Sequence, residues 1–232
     1  EVILSTIGSD EFGGHLERAD AVAVGCGLDA NDAEIEKLVR EIVETRTGPV
    51  IVDAGALSLF SPAADPLQKP ARSKGTANPD TSPLILTPHE GEFLQLLRTQ
   101  DKDAIKDRVA TVREFSTTNN VILVLKGERV LIGHPDGRVV VNPTGNSGLG
   151  KAGNGDTLTG ILAGFVAQAV KMDIDIFETV VAAVYVAGLA GDVAEKKYGK
   201  RVMTASDVRE CLVEVFDALS DDKPADLMPI HV

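Results

Sequence analysis

Gly145-Asn146-Ser147-Gly148-Leu149-Gly150-Lys151-Ala152-Gly153-Asn154-Gly155-Asp156 carries five glycines in twelve residues, ends on an aspartate and runs straight into the amphipathic stretch Thr157 to Val166. Glycines let backbone N–H groups turn toward a ligand with no Cβ in the way. A helix opening at about Gly155 adds unpaired N–H donors and a partial positive charge. Together they make a site for an anion, phosphate above all. Asp156, in the first helical turn, is placed to take a proton from a hydroxyl that attacks phosphorus. The same stretch also reads as a plain loop before a capped helix, with Asp156 serving only the helix dipole. It is not a P-loop, because no Gly-Lys-Ser/Thr follows, nor a dinucleotide GxGxxG after the first strand of a βαβ unit. The surrounding chain has to decide.

Just upstream, Val121-Ile122-Leu123-Val124-Leu125 is the most strand-like run and ends at Lys126-Gly127. Arg129 to Gly133 and Arg138 to Val141 read as a hairpin around Asp136-Gly137. Further back, Ala21-Val22-Ala23-Val24, Val50-Ile51-Val52-Asp53 and Leu84-Ile85-Leu86-Thr87 are continuously apolar, as strands buried on both faces are, and Val2-Ile3-Leu4 reads as a short strand. Between the first two, Asp29, Asn31 and Asp32 offer N-caps, Ile35, Leu38, Val39, Ile42 and Val43 recur at helical spacing, and Gly48-Pro49 closes the helix. Pro88 fits the first position of a helix carrying Phe93, Leu94 and Leu97. Asp103 to Ser116 predicts another, with Ile105, Val109, Val112 and Phe115 inward. Phe177 to Tyr198 and Ser206 to Leu219 predict the last two, the latter capped by Thr204 or Ser206. Strand alternating with helix implies an α/β fold with a mostly parallel sheet. Ser61 to Pro83 shows no periodicity and predicts a mobile surface loop, and the tail from Ser220 predicts a frayed end. No repeat or domain boundary interrupts residues 1–232, which read as a single domain.

Composition narrows the function. At 44% hydrophobic residues the 232-residue chain is globular, and 23 basic against 35 acidic residues leave a net charge of −12. No basic stripe exists for nucleic acid or an anionic membrane, so a phosphorylated ligand has to be gripped by backbone N–H groups. No apolar run reaches the length of a bilayer span, and no signal peptide is evident at Glu1. Two cysteines, Cys26 and Cys211, without a Cys-x-x-Cys pair predict a reducing, cytoplasmic setting.

Ligands of open α/β sheets sit beyond the C-terminal strand ends. Past those ends lie Gly25-Cys26-Gly27, Asp53, Thr87-Pro88-His89-Glu90, Lys126-Gly127 and, after the hairpin, Asn142 through Asp156. Singly, Asp53 reads as a loop cap, His89 and Glu90 as solvated helix residues and Lys126 as a surface charge. Gathered on one edge, they read as a site.

Leu86-Thr87-Pro88-His89-Glu90-Gly91-Glu92-Phe93, Leu125-Lys126-Gly127 and the glycine loop ending Gly153-Asn154-Gly155-Asp156 resemble, in order and spacing, the NAD(P)H-hydrate dehydratases. Val24 to Leu28 and Ile51 to Leu57 are similar too, so the resemblance runs from about Ala21 to Val208. It implies a ribokinase-like three-layer αβα sandwich with a β-hairpin. The implied activity is repair of hydrated NADH or NADPH at the expense of ADP or ATP, through phosphorylation of the ring hydroxyl and elimination of phosphate, with Mg²⁺ as cofactor. It casts Asp156 as the base and Gly153, Asn154 and Gly155 as the anion hole. Gly27, His89, Asn146 and Asp156 would contact the hydrate, and Lys126, Gly127, Glu128, Arg129, Val130 and Gly155 the nucleotide. No residue is assigned as a metal ligand. The expected partners are these small molecules and further copies of the chain in a homo-oligomer, with no nucleic acid or membrane.

The chain departs from the family pattern in carrying Cys26 for the usual Pro, Gly55 for the usual Asp, and a longer loop over Ser61 to Pro83. It also opens after the family's first strand and Gly-Ala-bearing helix, which line the hydrate pocket. Two alternatives stay open: a ribokinase-like kinase of a vitamin precursor or sugar, and a nucleotide-binding module without turnover.

Overall fold

The computed structural model describes residues 10–60 and 82–220. The expected strand Val2 to Leu4, residues 61–81 of the expected loop and the tail after Ser220 lie outside them. The described chain begins with α1 (Asp10–Arg18) and β1 (Val22–Val24), followed by α2 (Ala33–Thr45), β2 (Val50–Val52) and the short α3 (Gly55–Ser58). Next come β3 (Leu84–Leu86), α4 (Glu90–Leu96), α5 (Arg108–Asn119) and β4 (Ile122–Leu125). The hairpin β5 (Leu131–Gly133) and β6 (Val139–Val141) precedes three helices, α6 (Asn154–Met172), α7 (Ile176–Tyr198) and α8 (Ala205–Ser220).

The six strands stand in sequence order, with β1 to β4 parallel and β5 and β6 antiparallel additions. Successive strand residues face opposite sides, and this sorts the core into two layers. Val50, Val52, Leu84, Leu86, Leu123 and Leu125 pack with Val39, Val43, Phe93, Val112 and Phe115 of α2, α4 and α5. Ile51, Ile85, Ile122, Val124 and Ile132 pack with Leu162 and Val166 of α6 and Phe177, Val180 and Val184 of α7. Each such fully buried side chain contributes about 1.5–3 kcal/mol of transfer free energy. A third cluster joins α7 to α8 through Val186, Leu189, Val193, Met203, Val208, Cys211 and Val215. At 23 residues α7 is long and apolar enough to cross a bilayer, contrary to the reading that no run is, but 72% of its most apolar window is buried within the fold.

Two helix starts differ from expectation. α4 begins two residues late, at Glu90: His89 is the N-cap, its Nδ1 accepting from Glu92 N while the Glu92 carboxylate accepts from His89 N, so Pro88 precedes the cap. The expected helix from Asp103 splits into a 3₁₀ turn over Lys102–Ile105 and α5, because the Asp107 carboxylate caps Ala110 N and restarts the helix. The restart rotates Val109 outward, to 36% exposure, while Ile105, Val112 and Phe115 stay buried. Asp32 caps α2, and Thr204 and Asp207 cap α8 reciprocally. Ser82, inside the expected loop, is tied down: its Oγ donates to Thr47 O at 2.7 Å and its carbonyl accepts from Arg46 Nε at 3.0 Å.

Candidate active site

β1, β2, β3 and β4 all end on one edge, and α4 and α6 both open there. β1 runs into Gly25, whose backbone passes so close to β2 that an added Cβ would lie 1.7 Å from the Asp53 carbonyl oxygen. Only glycine permits that approach, and Gly25 also adopts φ +130°. β2 delivers Asp53, 1% exposed. One Asp53 oxygen accepts from Lys126 Nζ at 2.7 Å and the other from Thr159 Oγ1 of α6 at 2.8 Å. Burial opposes ionisation of this carboxyl, but the Lys126 charge and hydrogen bonds from Lys126, Thr87 and Thr159 outweigh it and hold Asp53 below the usual carboxylate range.

The Lys126 backbone N donates to Pro88 O at 2.8 Å, and His89 and Lys126 form an isolated parallel bridge. His89 is therefore beside Lys126, its side chain 61% exposed, and the Glu92 carboxylate stands 3.9 Å from Lys126 Nζ. From the other side α6 brings in the glycine loop. A Cβ on Gly155 would lie 3.7 Å from both Asp53 Oδ2 and Lys126 Nζ, so the helix start overhangs the ion pair. Gly153 is in the left-handed region, φ +88°, and its carbonyl accepts the N–H and the hydroxyl of Thr157.

Asp156, Thr159 and Gly160 of α6 line a cavity of about 350 Å³ with Ala23, Val24, Gly25, Cys26 and Leu28. Gly27, at φ +73°, follows Cys26 with open space around its Cα. The Cys26 thiol and carboxylate oxygens of Asp53 and Asp156 lie within 4.8 Å of one another. Burial of the sulfur, then its hydrogen bond to Asp156 and the charges of Asp53 and Asp156, push the thiol up to about 11. The cluster does not suit a resident hard cation: both Asp53 oxygens are engaged, and a thiol is a poor ligand for Mg²⁺. A Mg²⁺ carried on the phosphates of a nucleotide would ask little of the protein, since such an ion keeps several waters and takes most of its other oxygens from the phosphates.

The expected nucleotide turn, Lys126 to Val130, links β4 to β5. Arg129 Nη1 donates to Pro143 O at 3.1 Å and Val130 O accepts from Asn142 N at 2.9 Å, which ties the turn to the entry of the glycine loop. Glu128 is exposed. Asn146 is less available: its amide donates to Gly191 O and Asp192 Oδ1, both at 3.0 Å, and accepts from Gly148 N at 2.9 Å. These bonds anchor the loop on α7, where Gly188 and Gly191 have no room for a Cβ beside Thr144 and Leu149. Asn154 has both amide atoms buried without a hydrogen-bond partner.

The sequence did not point to Thr159 or Arg108, and pointed to Cys26 only as part of the turn after β1, with no role of its own. Arg108 Nε stands 3.5 Å from Glu90 Oε1, and a Cβ on Gly127 would lie 2.5 Å from Arg108 Nη2, so this guanidinium backs the nucleotide turn. The one signal was Gly127, which leaves space for it. Gly55 also has a local cause: a Cβ there would lie 2.5 Å from Leu28 O.

A family model described as NAD(P)H-hydrate dehydratase matches residues 1–214. The ADP-dependent (S)-NAD(P)H-hydrate dehydratase of Neisseria meningitidis is 36% identical over 193 residues, covering 79% of this chain and 61% of the relative. The Bacillus subtilis ADP/ATP-dependent NAD(P)H-hydrate dehydratase, co-crystallised with ATP/Mg²⁺ and soaked with CoA, superposes with a TM-score of 0.71 at 30% identity, over 88% of this chain and 70% of that one. A ribokinase-like superfamily protein of Enterococcus faecalis superposes with a TM-score of 0.65 at 25% identity, covering 89% and 66% of the two chains, so the expected ribokinase-like fold is the observed one. The chain spans 36%, 61%, 38% and 63% of the length of four of its curated relatives.

Proposed function

We propose, since the chain belongs to the NAD(P)H-hydrate dehydratase family, that it restores hydrated NADH or NADPH at the expense of ADP or ATP. The observation that carries this reading is the position of Asp156. Asp156 lines the cavity from the first turn of α6, while Gly155 of that same turn lies beside the buried Asp53–Lys126 pair. A base and an anion hole one residue apart suit a hydroxyl attacking phosphorus.

The hydrate ring occupies the cavity beside Cys26 and Asp156; Gly27 follows Cys26 just outside the lining, and His89, beside Lys126, would reach the substrate from the end of β3. Asp156 takes the proton of the ring hydroxyl as that oxygen bonds to the terminal phosphorus of the nucleotide and the bridging P–O bond breaks. The N–H groups of Gly153 and Gly155 hold the charge on the migrating phosphoryl, each such donor being worth about 3–4 kcal/mol in other enzymes, while that of Asn154 is already given to the Lys151 carbonyl at 3.3 Å. Phosphate then leaves with the C–O bond electrons, and loss of a proton from the neighbouring ring carbon restores the double bond. Lys126 to Val130 hold the nucleotide, with Arg108 behind Gly127. Asn146 acts through the loop it anchors. Mg²⁺, when bound on the phosphates, supplies charge neutralisation.

The test is incubation with hydrated NADH, Mg²⁺ and ADP or ATP. Recovery of the dihydronicotinamide absorbance supports the reading, and it should fall by about 10²–10⁴ in Asp156→Asn, which loses the proton acceptor and keeps the N–H donors. Nucleotide consumed only with another alcohol would make the chain a kinase. Full turnover in Asp156→Asn would remove the assigned base. A cytoplasmic location and a homo-oligomeric state belong to the same reading, the first supported by two free thiols and the second open to sedimentation.

A further inference from the structure

Lys151 lies between the glycines of the anion loop, where a phosphate-binding lysine would be sought. The structure turns it the other way. Its Nζ donates to the carbonyl oxygens of Lys200, Arg201 and Met203 at 2.8, 2.9 and 2.8 Å. An ammonium has three donors, so none remains for a phosphate. The three acceptors belong to the turn between α7 and α8, just past Gly199, which caps the negative end of the 23-residue α7. Asp207 of α8 adds negative charge within electrostatic reach.

The loop meets this turn at two further points. A Cβ on Gly148 would lie 2.6 Å from Met203 Sδ and 3.2 Å from Lys200 Cα, and one on Gly153 would lie 3.1 Å from Ala205 Cβ. The Lys151 carbonyl also accepts the N–H of Asn154, the first residue of α6. One residue thus grips the turn with its side chain and the start of the catalytic helix with its backbone.

We propose that Lys151 is a positioning residue whose ammonium acts as a tethered cation in a three-carbonyl cage, fixing the anion loop Gly153 to Asp156 over the α7–α8 turn. This rests on the dehydratase reading for its kinetic consequence, and on the cage alone for its effect on stability. A displacement of about 1 Å at such a loop can cost about a hundredfold in rate. Because no donor reaches the nucleotide, its binding does not depend on Lys151.

The experiment compares wild type with Lys151→Ala and Lys151→Met. Lys151 is exposed and outside the three hydrophobic clusters, so both variants should fold. Expected is a fall in kcat of about 10- to 100-fold with KM for the nucleotide unchanged within about twofold. Ammonium or methylammonium chloride should raise both kcat and Tm of Lys151→Ala, and tetramethylammonium at equal ionic strength should raise neither. Lys151→Met, with its cage filled by an apolar stem, should show the kinetic loss and no rescue. A rise in nucleotide KM at unchanged kcat would make Lys151 a phosphate contact and overturn the proposal, as would an alanine variant indifferent to ammonium. If the wild type does not act on the hydrate, the dehydratase reading falls, and the ammonium-specific rise in Tm still decides the cage.

Discussion

Replacing Lys126 by Met isolates the electrostatic centre of the site. Asp53 and Lys126 are 2.7 Å apart with side chains 2% and 21% exposed. Methionine keeps most of the stem and removes the charge, leaving a buried carboxylate held only by the hydroxyls of Thr159 and Thr87. Removing one partner of a buried pair costs about 3–5 kcal/mol, and the partial exposure of Lys126 places this case near about 3 kcal/mol. A chain of this size then loses roughly 6–12 °C in Tm. The pH dependence carries its own sign. In the wild type the Asp53 carboxyl titrates below its unfolded value, so the stability it brings is fully present above that value, about pH 4, and is lost as pH falls through the folded one. Without Lys126 burial dominates and Asp53 titrates above its unfolded value, so the variant's deficit is largest near neutral pH and shrinks as acid protonates the buried group. Urea unfolding of both proteins at about pH 7 and about pH 5 measures this, and Asp53→Asn in the Lys126→Met background should recover part of the loss. A Lys126→Met protein within about 0.5 kcal/mol of wild type at neutral pH, or a deficit that does not shrink in acid, would refute the reasoning.

Two smaller perturbations probe the neighbours of that pair. Cys26 is exposed yet carries a thiol pushed up to about 11, so only about one in ten thousand is thiolate near neutral pH and iodoacetamide labelling should be slow, rising with pH well past the ordinary thiol range. In Asp156→Asn one charge disappears and the hydrogen bond to a carboxylate becomes at most a weaker one to an amide oxygen, while burial, the largest cause, stays; labelling should speed up without reaching the rate of a free thiol, and an unchanged rate would separate the two residues. Ala54 follows Asp53 with φ 48° and ψ −128°, a conformation L residues rarely adopt. Relief of about 1–3 kcal/mol of strain set against about 0.4–1 kcal/mol of added chain entropy makes Ala54→Gly stabilising by about 1 kcal/mol, read as a higher urea midpoint; a lower midpoint would show that the backbone is not strained.

The contrast between what the residues announce and what they conceal follows from range. Val50-Ile51-Val52 is apolar at every position because helices cover both faces of β2, with Val50 and Val52 in one layer and Ile51 in the other; that pattern is local and legible. The loop ending in Asp156 is legible for the same reason, since glycine, helix start and acid are neighbours in the chain. Asp53 and Lys126 are legible as strand-end residues on one edge, but their pairing is not: Lys126 and Thr159 are 73 and 106 residues from Asp53, and nothing around any of the three says that two oxygens are spoken for. The same distance hides what Asn146 and Lys151 hold in the fold, since their side chains reach α7 and the α7–α8 turn, 45 to 52 residues along the chain. Val109 fails more locally, because one carboxylate at Asp107 restarts the helix and shifts its phase. The loop's own acid and glycines can therefore be read from the chain, while the frame that aims them is built from contacts between distant segments. A rate loss in Lys151→Ala without a loss of nucleotide binding would be the kinetic expression of that division.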